Sequence, residues 1–221
     1  MNWENYWNTT ATNKDHLAQV GRVNADPFKS IKQAALHIVE LLDISKGDKV
    51  LDVCCGNGMI TAEIASNCNS ILGVDFSEKL IEQAIELHPG IEFEQQDATN
   101  LLLPKTFDKI YLAFSFQYFD SYEKGKLAIN KFKHHARPGA KILLTDIPDK
   151  KKWGKFYNTI FKKLFYLKHR ITRKYTMGKF WSEEELLKIC NELGLEGTLI
   201  SQPSSMPYSY YRFDFLIRVP N

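Results

Sequence analysis

The stretch KVLDVCCGNG, residues 49–58, decides the fold class of this chain. Its first half, VLDV at 50–53, is a short β-prone apolar run with one aspartate inside it, which indicates a buried parallel strand. The strand leads into a turn with Gly56 and Gly58, and a helical pattern follows. Glycines in such a turn let a ligand approach the main chain closely, and the helix presents its N-terminus to that ligand. The stretch therefore predicts a binding turn for a nucleotide-type ligand.

This turn has two alternative interpretations. The dinucleotide fingerprint G-x-G-x-x-G needs a third glycine at position 61, but the chain has Thr61 there. Asp52, inside the strand, is also no part of that fingerprint. A purely structural glycine turn is the second alternative, because a G-x-G pattern alone is a weak signal. The residues farther along the chain distinguish between the interpretations.

Acidic residues follow the next two predicted strands. The second strand, at 70–74, is followed by Asp75, whose carboxylate can accept hydrogen bonds from both hydroxyls of a ribose. Ser77 then fits the N-cap of the next helix. The third strand, at 91–93, leads to Asp97. This order of strand, glycine turn, helix, strand and acid is typical of a βαβ nucleotide-binding unit and favours a binding role for the turn.

Together these motifs resemble the class I S-adenosylmethionine-dependent methyltransferases, whose first motif usually has two hydrophobic residues, Asp, another hydrophobic residue and then Gly-x-Gly-x-Gly. The chain departs from that motif at Cys54, where the first glycine usually stands. The resemblance covers residues 45–147 by motif and the C-terminal hairpin by layout. It implies an α/β fold with a doubly wound, seven-stranded, mostly parallel sheet whose last strand is antiparallel. It also implies S-adenosylmethionine as the cofactor.

The same resemblance implies a set of cofactor-binding residues. In the family, an acid at the position of Asp97 binds the adenine amino group, and the amide at the position of Ala98 contacts a ring nitrogen. Arg22 is our expected partner for the methionine carboxylate, and the end of the fourth predicted strand, 107–116, should pass under the cofactor. The predicted cofactor-binding residues are Tyr6, Arg22, Asp52, Cys54, Gly56, Gly58, Asp75, Phe76, Asp97, Ala98 and Phe114.

Methyl transfer from a sulfonium is an in-line displacement of an activated group, so alignment can supply most of the rate. A base is needed only where the acceptor must lose a proton. His16, Tyr118 and Asp146 are the candidates for that role, and each of them also fits a binding or packing role.

The chain of 221 residues is long enough for one α/β domain, which we expect to span 1–221. Residues 1–25 resemble an N-terminal lid, with a plain surface helix as the alternative, and 149–181 form a basic insertion after the fifth strand. No apolar stretch is long enough to span a membrane and no signal-peptide profile is present, which predicts a cytoplasmic protein.

The four cysteines show no metal-binding spacing, so we expect reduced thiols and no metal site. Cys54 and Cys55 lie at a helix N-terminus, which lowers the pKa of a thiol. A redox role is therefore an alternative to simple packing of small residues at these two positions.

The positive charge of the chain is local. Residues 150–180 contain eleven Lys and Arg residues and no acidic residue, whereas the whole chain has a net charge of only +3. Aromatic and aliphatic residues recur at helical spacing over 153–165, with lysines opposite, which predicts one basic amphipathic helix. Methyltransferases of the resembled class carry substrate-covering insertions at this place, so we expect a substrate cap.

The preferred acceptor is a small molecule, such as a sugar, a nucleotide-sugar or another anionic metabolite. RNA bound by the basic segment and a membrane-associated lipid are alternatives, and peripheral membrane contact stays open. The run AFSFQYF at 113–119 lacks the Asp/Asn-Pro-Pro-Tyr/Phe string of many base methyltransferases, which makes nucleic acid the weaker alternative. A nicotinamide oxidoreductase and a catalytically silent cofactor-binding protein are the other classes. With a small acceptor, we expect no appreciable vesicle or RNA binding at physiological salt.

Overall fold

The computed structural model describes residues 3–19, 27–172 and 178–221. Within these ranges seven strands form a single sheet. The strands are β1 (Lys49–Val53), β2 (Ser70–Asp75), β3 (Glu92–Gln95), β4 (Phe107–Ala113), β5 (Ala136–Pro148), β6 (Glu196–Ser201) and β7 (Arg212–Arg218). Their order in the sheet is β3-β2-β1-β4-β5-β7-β6. The first five strands run parallel, and β7 is antiparallel to both of its neighbours. This confirms the predicted fold class.

Helices connect the strands and cover both faces of the sheet. They are α1 (Trp3–Thr10), α2 (His16–Gln19), α3 (Pro27–Leu42), α4 (Met59–Ala65), α5 (Glu78–Leu87), α6 (Tyr122–His135), α7 (Trp153–Phe156), α8 (Ile160–Thr172) and α9 (Glu183–Leu193). Two short 3₁₀ turns lie at Phe116–Tyr118 and Lys150–Lys152. None of the helices in the described ranges is long and apolar enough to cross a bilayer.

Side chains of the parallel strands alternate between two apolar clusters, as expected for a sheet buried on both faces. Leu51 and Val53 belong to the larger cluster, which includes Phe132 of α6 and Ile189 of α9. Val50 points to the opposite face and joins the cluster formed with α3 and α4. The alternation places Asp52 on the second face as well, in an otherwise apolar layer.

Capping residues begin and end several helices. Ser77, the predicted N-cap, accepts a hydrogen bond from the backbone N–H of Leu80 and begins α5. The sequence Ser-Glu-Glu-Glu at 182–185 predicts a capping box, and Ser182 and Glu185 form it at the start of α9, with hydrogen bonds of 3.3 and 3.0 Å. Gly194, with φ of +64°, ends the helix. The pair Asp26-Pro27 predicts an N-cap and a first helical residue; helix α3 does begin at Pro27, and Asp26 lies outside the described residues.

Some predicted strand bounds are wrong. The apolar run at 140–145 predicts a fifth strand that begins after a turn at Arg137-Pro138-Gly139, but the strand begins at Ala136 and passes through these residues with an irregular register against β4. The fourth strand ends at Ala113, and the chain then turns sharply, with Phe114 at φ of +61°. The first difference arises because the strand accommodates the Pro-Gly pair as an irregularity, and the second because the apolar run at 107–116 continues past the point where the backbone turns.

The basic insertion is not one helix. Its predicted helical run divides into α7 and α8 at 157–159, and the apolar side chains of the two helices have different surroundings. Trp153 and Phe156 pack against a small cluster formed by Tyr157, Phe180 and Tyr211. The apolar side chains of α8, in contrast, are mostly exposed. Helical periodicity in sequence shows that a segment is amphipathic, but it does not show where the segment will pack.

Candidate active site

A cavity of about 310 Å³ lies at the carboxyl ends of β1, β2 and β4, where open α/β sheets bind their ligands. The main chain at its base comes from the turn after β1, and its sides come from the loops after β2, β3 and β4. Helix α1 contributes Trp3 and Trp7 from above. The cavity therefore lies between the sheet and the N-terminal segment.

The turn after β1 has an unusual backbone. Cys54, Gly56 and Gly58 all have positive φ angles, of +60°, +59° and +77°. Gly58 is also packed tightly, since a Cβ atom there would lie 2.6 Å from the ring of Phe93. Cys54 adopts a conformation that residues with a Cβ atom rarely take, which explains why the resembled family usually has glycine here.

Asp75 connects the first and second strands at this turn. Its Oδ2 accepts the backbone N–H of Gly56 at 3.0 Å, and its Oδ1 accepts that of Ser77 at 2.9 Å. Burial raises the pKa of the Asp75 carboxyl to about 6, although the N–H groups of Ser77 and Gly56 act in the opposite direction. The carboxylate is thus fixed in the wall of the cavity and keeps the glycine turn in place.

Asp52, unlike Asp75, does not line the cavity. It accepts hydrogen bonds from the hydroxyls of Thr61 at 2.6 Å and Tyr111 at 2.7 Å, beneath the turn and away from the cavity lining. Burial raises the pKa of Asp52 to about 7, with the charge of Asp75 a smaller contribution in the same direction. Thr61 occupies the position of the third glycine in a dinucleotide fingerprint, and its hydroxyl donates the buried hydrogen bond to Asp52.

Burial also raises the pKa of the Cys54 and Cys55 thiols well above the ordinary value. Nearby carboxylates, including Asp75 and Asp52, add to that effect. The environment is therefore unlike the electropositive one that activates a thiol. The low-pKa redox alternative does not fit these two cysteines, and packing of small residues is the interpretation that agrees with the structure.

The N-terminal segment is attached to both binding loops. Asn57 Nδ2 donates to the main-chain oxygen of His16 at 2.8 Å and to Gln19 Oε1 at 3.0 Å. The hydroxyl of Ser77 donates to Asn8 Oδ1 at 2.6 Å. These hydrogen bonds place helices α1 and α2 across the cavity, in the position expected for a lid.

An aromatic wall completes the cavity on its outer side. The ring of Tyr118, on the 3₁₀ turn after β4, lies 4.5 Å from that of Trp3 and 5.6 Å from that of Trp7, measured between centroids. Tyr6 packs edge-on against both tryptophans. Tyr6 was predicted to contact the cofactor, but it does not line the cavity. It lies behind Trp3 and Trp7 and supports their rings.

The structure brings most of the predicted cofactor residues to one cavity. Those that line it are Cys54, Gly56, Asp75, Phe76, Asp97, Ala98 and Phe114. Tyr6, Asp52 and Gly58 lie behind this first layer of residues. Arg22 falls outside the described residues.

The three candidate bases differ in position. Tyr118 lines the cavity, whereas the His16 ring lies 3.4 Å from Gln19 Oε1 on the exposed side of the lid. Asp146 is 2% exposed, and its carboxylate lies 2.9 Å from Arg212 Nη1. Asp146 also has φ of +64° and accepts from Gln202 Nε2 at 3.2 Å. It is thus held in a buried ionic network, which leaves Tyr118 as the candidate that an acceptor in this cavity could contact.

Sequence reasoning missed several residues at the cavity. Asn57, Lys124 and Phe119 line it, but only Asn57 had a local signal, its place between two glycines. Trp3 and Trp7 were expected only as part of a lid. No residue of the insertion at 149–181 that the structure describes lines the cavity.

Comparison with known proteins agrees with this geometry. A family model described as a methyltransferase domain matches residues 50–139. Phosphoethanolamine N-methyltransferase 3 of Arabidopsis thaliana is 37% identical over 116 residues, which are 50% of this chain and 23% of that protein. A demethylmenaquinone methyltransferase of Bacillus licheniformis is 28% identical over 150 residues, covering 65% of this chain and 61% of the relative. The chain thus spans less than two thirds of the length of these two curated relatives.

Solved structures share the fold over the whole chain. The N-methyltransferase NodS from Bradyrhizobium japonicum, in complex with S-adenosyl-L-homocysteine, superposes with a TM-score of 0.68 at 17% identity and 100% coverage of both chains. Magnesium protoporphyrin IX methyltransferase from Synechocystis, with bound S-adenosylhomocysteine, gives 0.68 at 19% identity and 98% coverage of both. The methyltransferase motifs, the sheet order and the family match thus fall in the same region, and the chain has the fold of the class I S-adenosylmethionine-dependent methyltransferases and resembles them in its motifs.

Proposed function

We propose that this protein binds S-adenosylmethionine in the cavity beneath its N-terminal lid and transfers the methyl group to a small-molecule acceptor. One observation carries the proposal. Asp75 and Asp97 line the same cavity as the glycine turn at Cys54–Gly56, so carboxylates suited to ribose and adenine groups lie beside one main-chain cradle.

The chemistry of the lining suits the cofactor. Asp75 Oδ1 and Oδ2 each accept one backbone N–H, and a carboxylate has roughly four acceptor positions in all, so each oxygen keeps capacity for a ribose hydroxyl. Asp97 Oδ1 accepts the N–H and hydroxyl of Thr99 at 2.7 and 2.8 Å, which fixes its orientation at the cavity edge. Phe76 and Phe114 supply apolar surface for an aromatic base.

When bound, the cofactor supplies a methyl group that is already activated as a sulfonium, and the acceptor heteroatom displaces the thioether to give S-adenosylhomocysteine. The residues of this chain then need to align the two reactants and exclude water. Trp3 and Trp7 of the lid and Tyr118 below them form the apolar cover. Where the acceptor is a hydroxyl, Tyr118, which lines the cavity, is the candidate to hydrogen-bond to it or, as the phenolate, to take its proton.

For the acceptor we propose a small anionic metabolite, such as a sugar phosphate, a nucleotide-sugar or a related compound. Lys124, the basic residue at the cavity within the described ranges, supports an anionic group; it is also paired with Asp120 at 2.9 Å. The two curated relatives are named for small acceptors, phosphoethanolamine and demethylmenaquinone. These names support the size class of the acceptor and do not identify it.

The experiment that tests the proposal uses S-adenosylmethionine labelled in its methyl group. The protein is incubated with separate small-molecule, lipid and RNA fractions of a cell extract, and label transfer is followed in each. We expect enzyme-dependent labelling of the small-molecule fraction, and its loss with the Asp75→Ala variant. Label that enters only RNA would contradict the proposed acceptor class, and label in no fraction would favour a catalytically silent binding protein.

A further inference from the structure

Helix α8 carries a large apolar face whose side chains are mostly exposed. The six large apolar side chains concerned are Ile160, Phe161, Leu164, Phe165, Leu167 and Ile171, each at least half exposed. Phe161 is 80% exposed and Ile171 is 73% exposed, values that are unusual for side chains of this size. Contiguous exposed apolar surface on this scale marks an interaction site.

The spacing of these residues explains why they share one side of the helix. Positions 160, 164, 167 and 171 follow the i, i+4, i+7, i+11 pattern that forms one stripe, and the two phenylalanines widen it. Tyr166 lies on the opposite side and holds the helix to the body, with its ring 5.3 Å from that of Trp153 and 4.8 Å from that of Tyr157. The helix is therefore attached to the rest of the protein through the side that carries Tyr166, and its apolar face is directed outward.

The charge around this face has a single sign. Helix α8 contains Lys162, Lys163, Lys168 and Arg170 and no acidic residue, and the surrounding sequence from 150 to 182 has none either. At thirteen residues, α8 is about 20 Å long, enough to lie along a surface but too short to cross a bilayer. An apolar face with basic flanks is the pattern of helices that lie in an anionic membrane interface.

We infer that α8 is a docking surface for an anionic lipid bilayer. The composition of the face argues against the other occupants. RNA-binding surfaces present their basic and aromatic groups to the ligand, but four of the six exposed apolar side chains on this face are Ile or Leu, which cannot stack with bases. A second copy of the chain would bring two basic helices together, and like charges repel. A bilayer offers both an apolar layer for the side chains and anionic headgroups for the lysines.

The position of the insertion connects this surface to the candidate active site. Lys179 N–H donates to the main-chain oxygen of Gln117 at 2.8 Å, and Trp181 Nε1 donates to that of Phe116 at 3.2 Å. Both acceptors belong to the 3₁₀ turn that carries Tyr118. Docking of α8 would thus hold the acceptor side of the cavity close to the membrane surface.

The test is sedimentation of the full chain with vesicles of phosphatidylcholine alone and with vesicles that also contain phosphatidylglycerol. We expect binding at about 0.15 M salt only where the anionic lipid is present, and weaker binding at about 1 M salt. The Phe161→Ser, Leu164→Ser double variant should reduce partitioning about tenfold or more. The Lys163→Gln, Lys168→Gln variant should reduce it about threefold to tenfold.

Leu36→Ser is the matched control, because Leu36 is 68% exposed on α3 and lies outside the surface proposed here. It should leave partitioning within about twofold of the parent. Each variant should keep its melting temperature and its affinity for S-adenosylhomocysteine, which separates loss of docking from unfolding and from failure of the proposed function. Absence of vesicle binding would overturn the inference, as would binding to mixed RNA without vesicles or self-association that Phe161→Ser abolishes.

Discussion

The carboxylate Oδ2 of Asp75 accepts the backbone N–H of Gly56 at 3.0 Å, across the gap between two neighbouring strands. This hydrogen bond joins the residue expected to bind the ribose to the turn expected to approach the cofactor. It also explains why a buried carboxylate is tolerated at this place, since main-chain donors satisfy both of its oxygens. Any change at Asp75 should therefore affect both ligand binding and the shape of the turn.

Binding of S-adenosylhomocysteine should depend on pH through Asp75. Its pKa is raised to about 6 by burial, and ribose hydroxyls donate to the ionised form. Affinity should therefore fall as pH drops below about 6, approaching tenfold per pH unit, and be constant well above it. Isothermal titration calorimetry from pH 5 to pH 8 measures this. Asp75→Asn should bind more weakly with a flatter profile; an unchanged slope would assign the titration to another group.

The stability of the protein should also depend on pH, through Asp52. Its folded-state pKa of about 7 lies above the ordinary 3.8, so the folded state holds a proton that the unfolded state releases. This contribution is fully present below about pH 4 and is lost as pH rises to about 7, with a magnitude on the order of 4 kcal/mol. Urea unfolding of the parent and of Asp52→Asn across this range isolates it. The difference in the free energy of unfolding between the parent and Asp52→Asn should change with pH. A difference that stays constant would show that the pKa of Asp52 is not shifted by folding.

The lid should loosen when its hydrogen bonds to the glycine turn are removed. Asn57→Ala deletes the donor to His16 O and to the buried Gln19, which costs about 1–3 kcal/mol of local stability. Limited trypsin cleavage at Lys14 should become several-fold faster than in the parent. Asn69→Ala, an exposed change just before β2 and at the opposite edge of the sheet from the glycine turn, is the control and should cleave like the parent. Equal cleavage of all three proteins would mean that these bonds do not hold the lid.

Position 54 should tolerate glycine better than a β-branched residue, as judged by the free energy of unfolding. Its φ of +60° costs a non-glycine residue about 1–2 kcal/mol, partly offset in Cys54→Gly by the greater entropy of the unfolded chain. Cys54→Gly should therefore keep or slightly raise the free energy of unfolding, while Cys54→Val should lower it by about 2 kcal/mol or more. Denaturant unfolding measures both. Loss of stability in the glycine variant would show that packing of the thiol outweighs backbone strain.

Much of the fold could be predicted because its signals are local. The apolar run around Asp52, the glycines after it and the acids after the next two strands each lie within a few residues of the feature that they specify. Because consecutive parallel strands are joined by helices, their carboxyl ends lie at the same edge of the sheet, and this holds for helices of different length and sequence. This is why Asp75 and Asp97 were found at one cavity.

The features that sequence reasoning missed depend on distant partners. Asp146 was chosen as a candidate base from its position at a strand end, but it is paired with Arg212, 66 residues later, in a buried network. The apolar face of α8 has the same periodicity as a packed helix, and only the structure shows that Tyr166 contacts the rest of the protein from the opposite side while Phe161 is exposed. The sequence-based expectation of no vesicle binding is opposite to the docking inferred for α8, and sedimentation with vesicles decides between the two.

The identity of the cofactor is the central claim, and ligand-induced thermal stabilisation tests it most directly. A ligand that binds only the folded state stabilises it by about 2.7 kcal/mol at a hundredfold excess over its dissociation constant. S-adenosylhomocysteine should therefore raise the melting temperature of the parent by several degrees, NAD should leave it unchanged, and Asp75→Ala should show a much smaller shift with S-adenosylhomocysteine. A shift with NAD and none with S-adenosylhomocysteine would contradict the account.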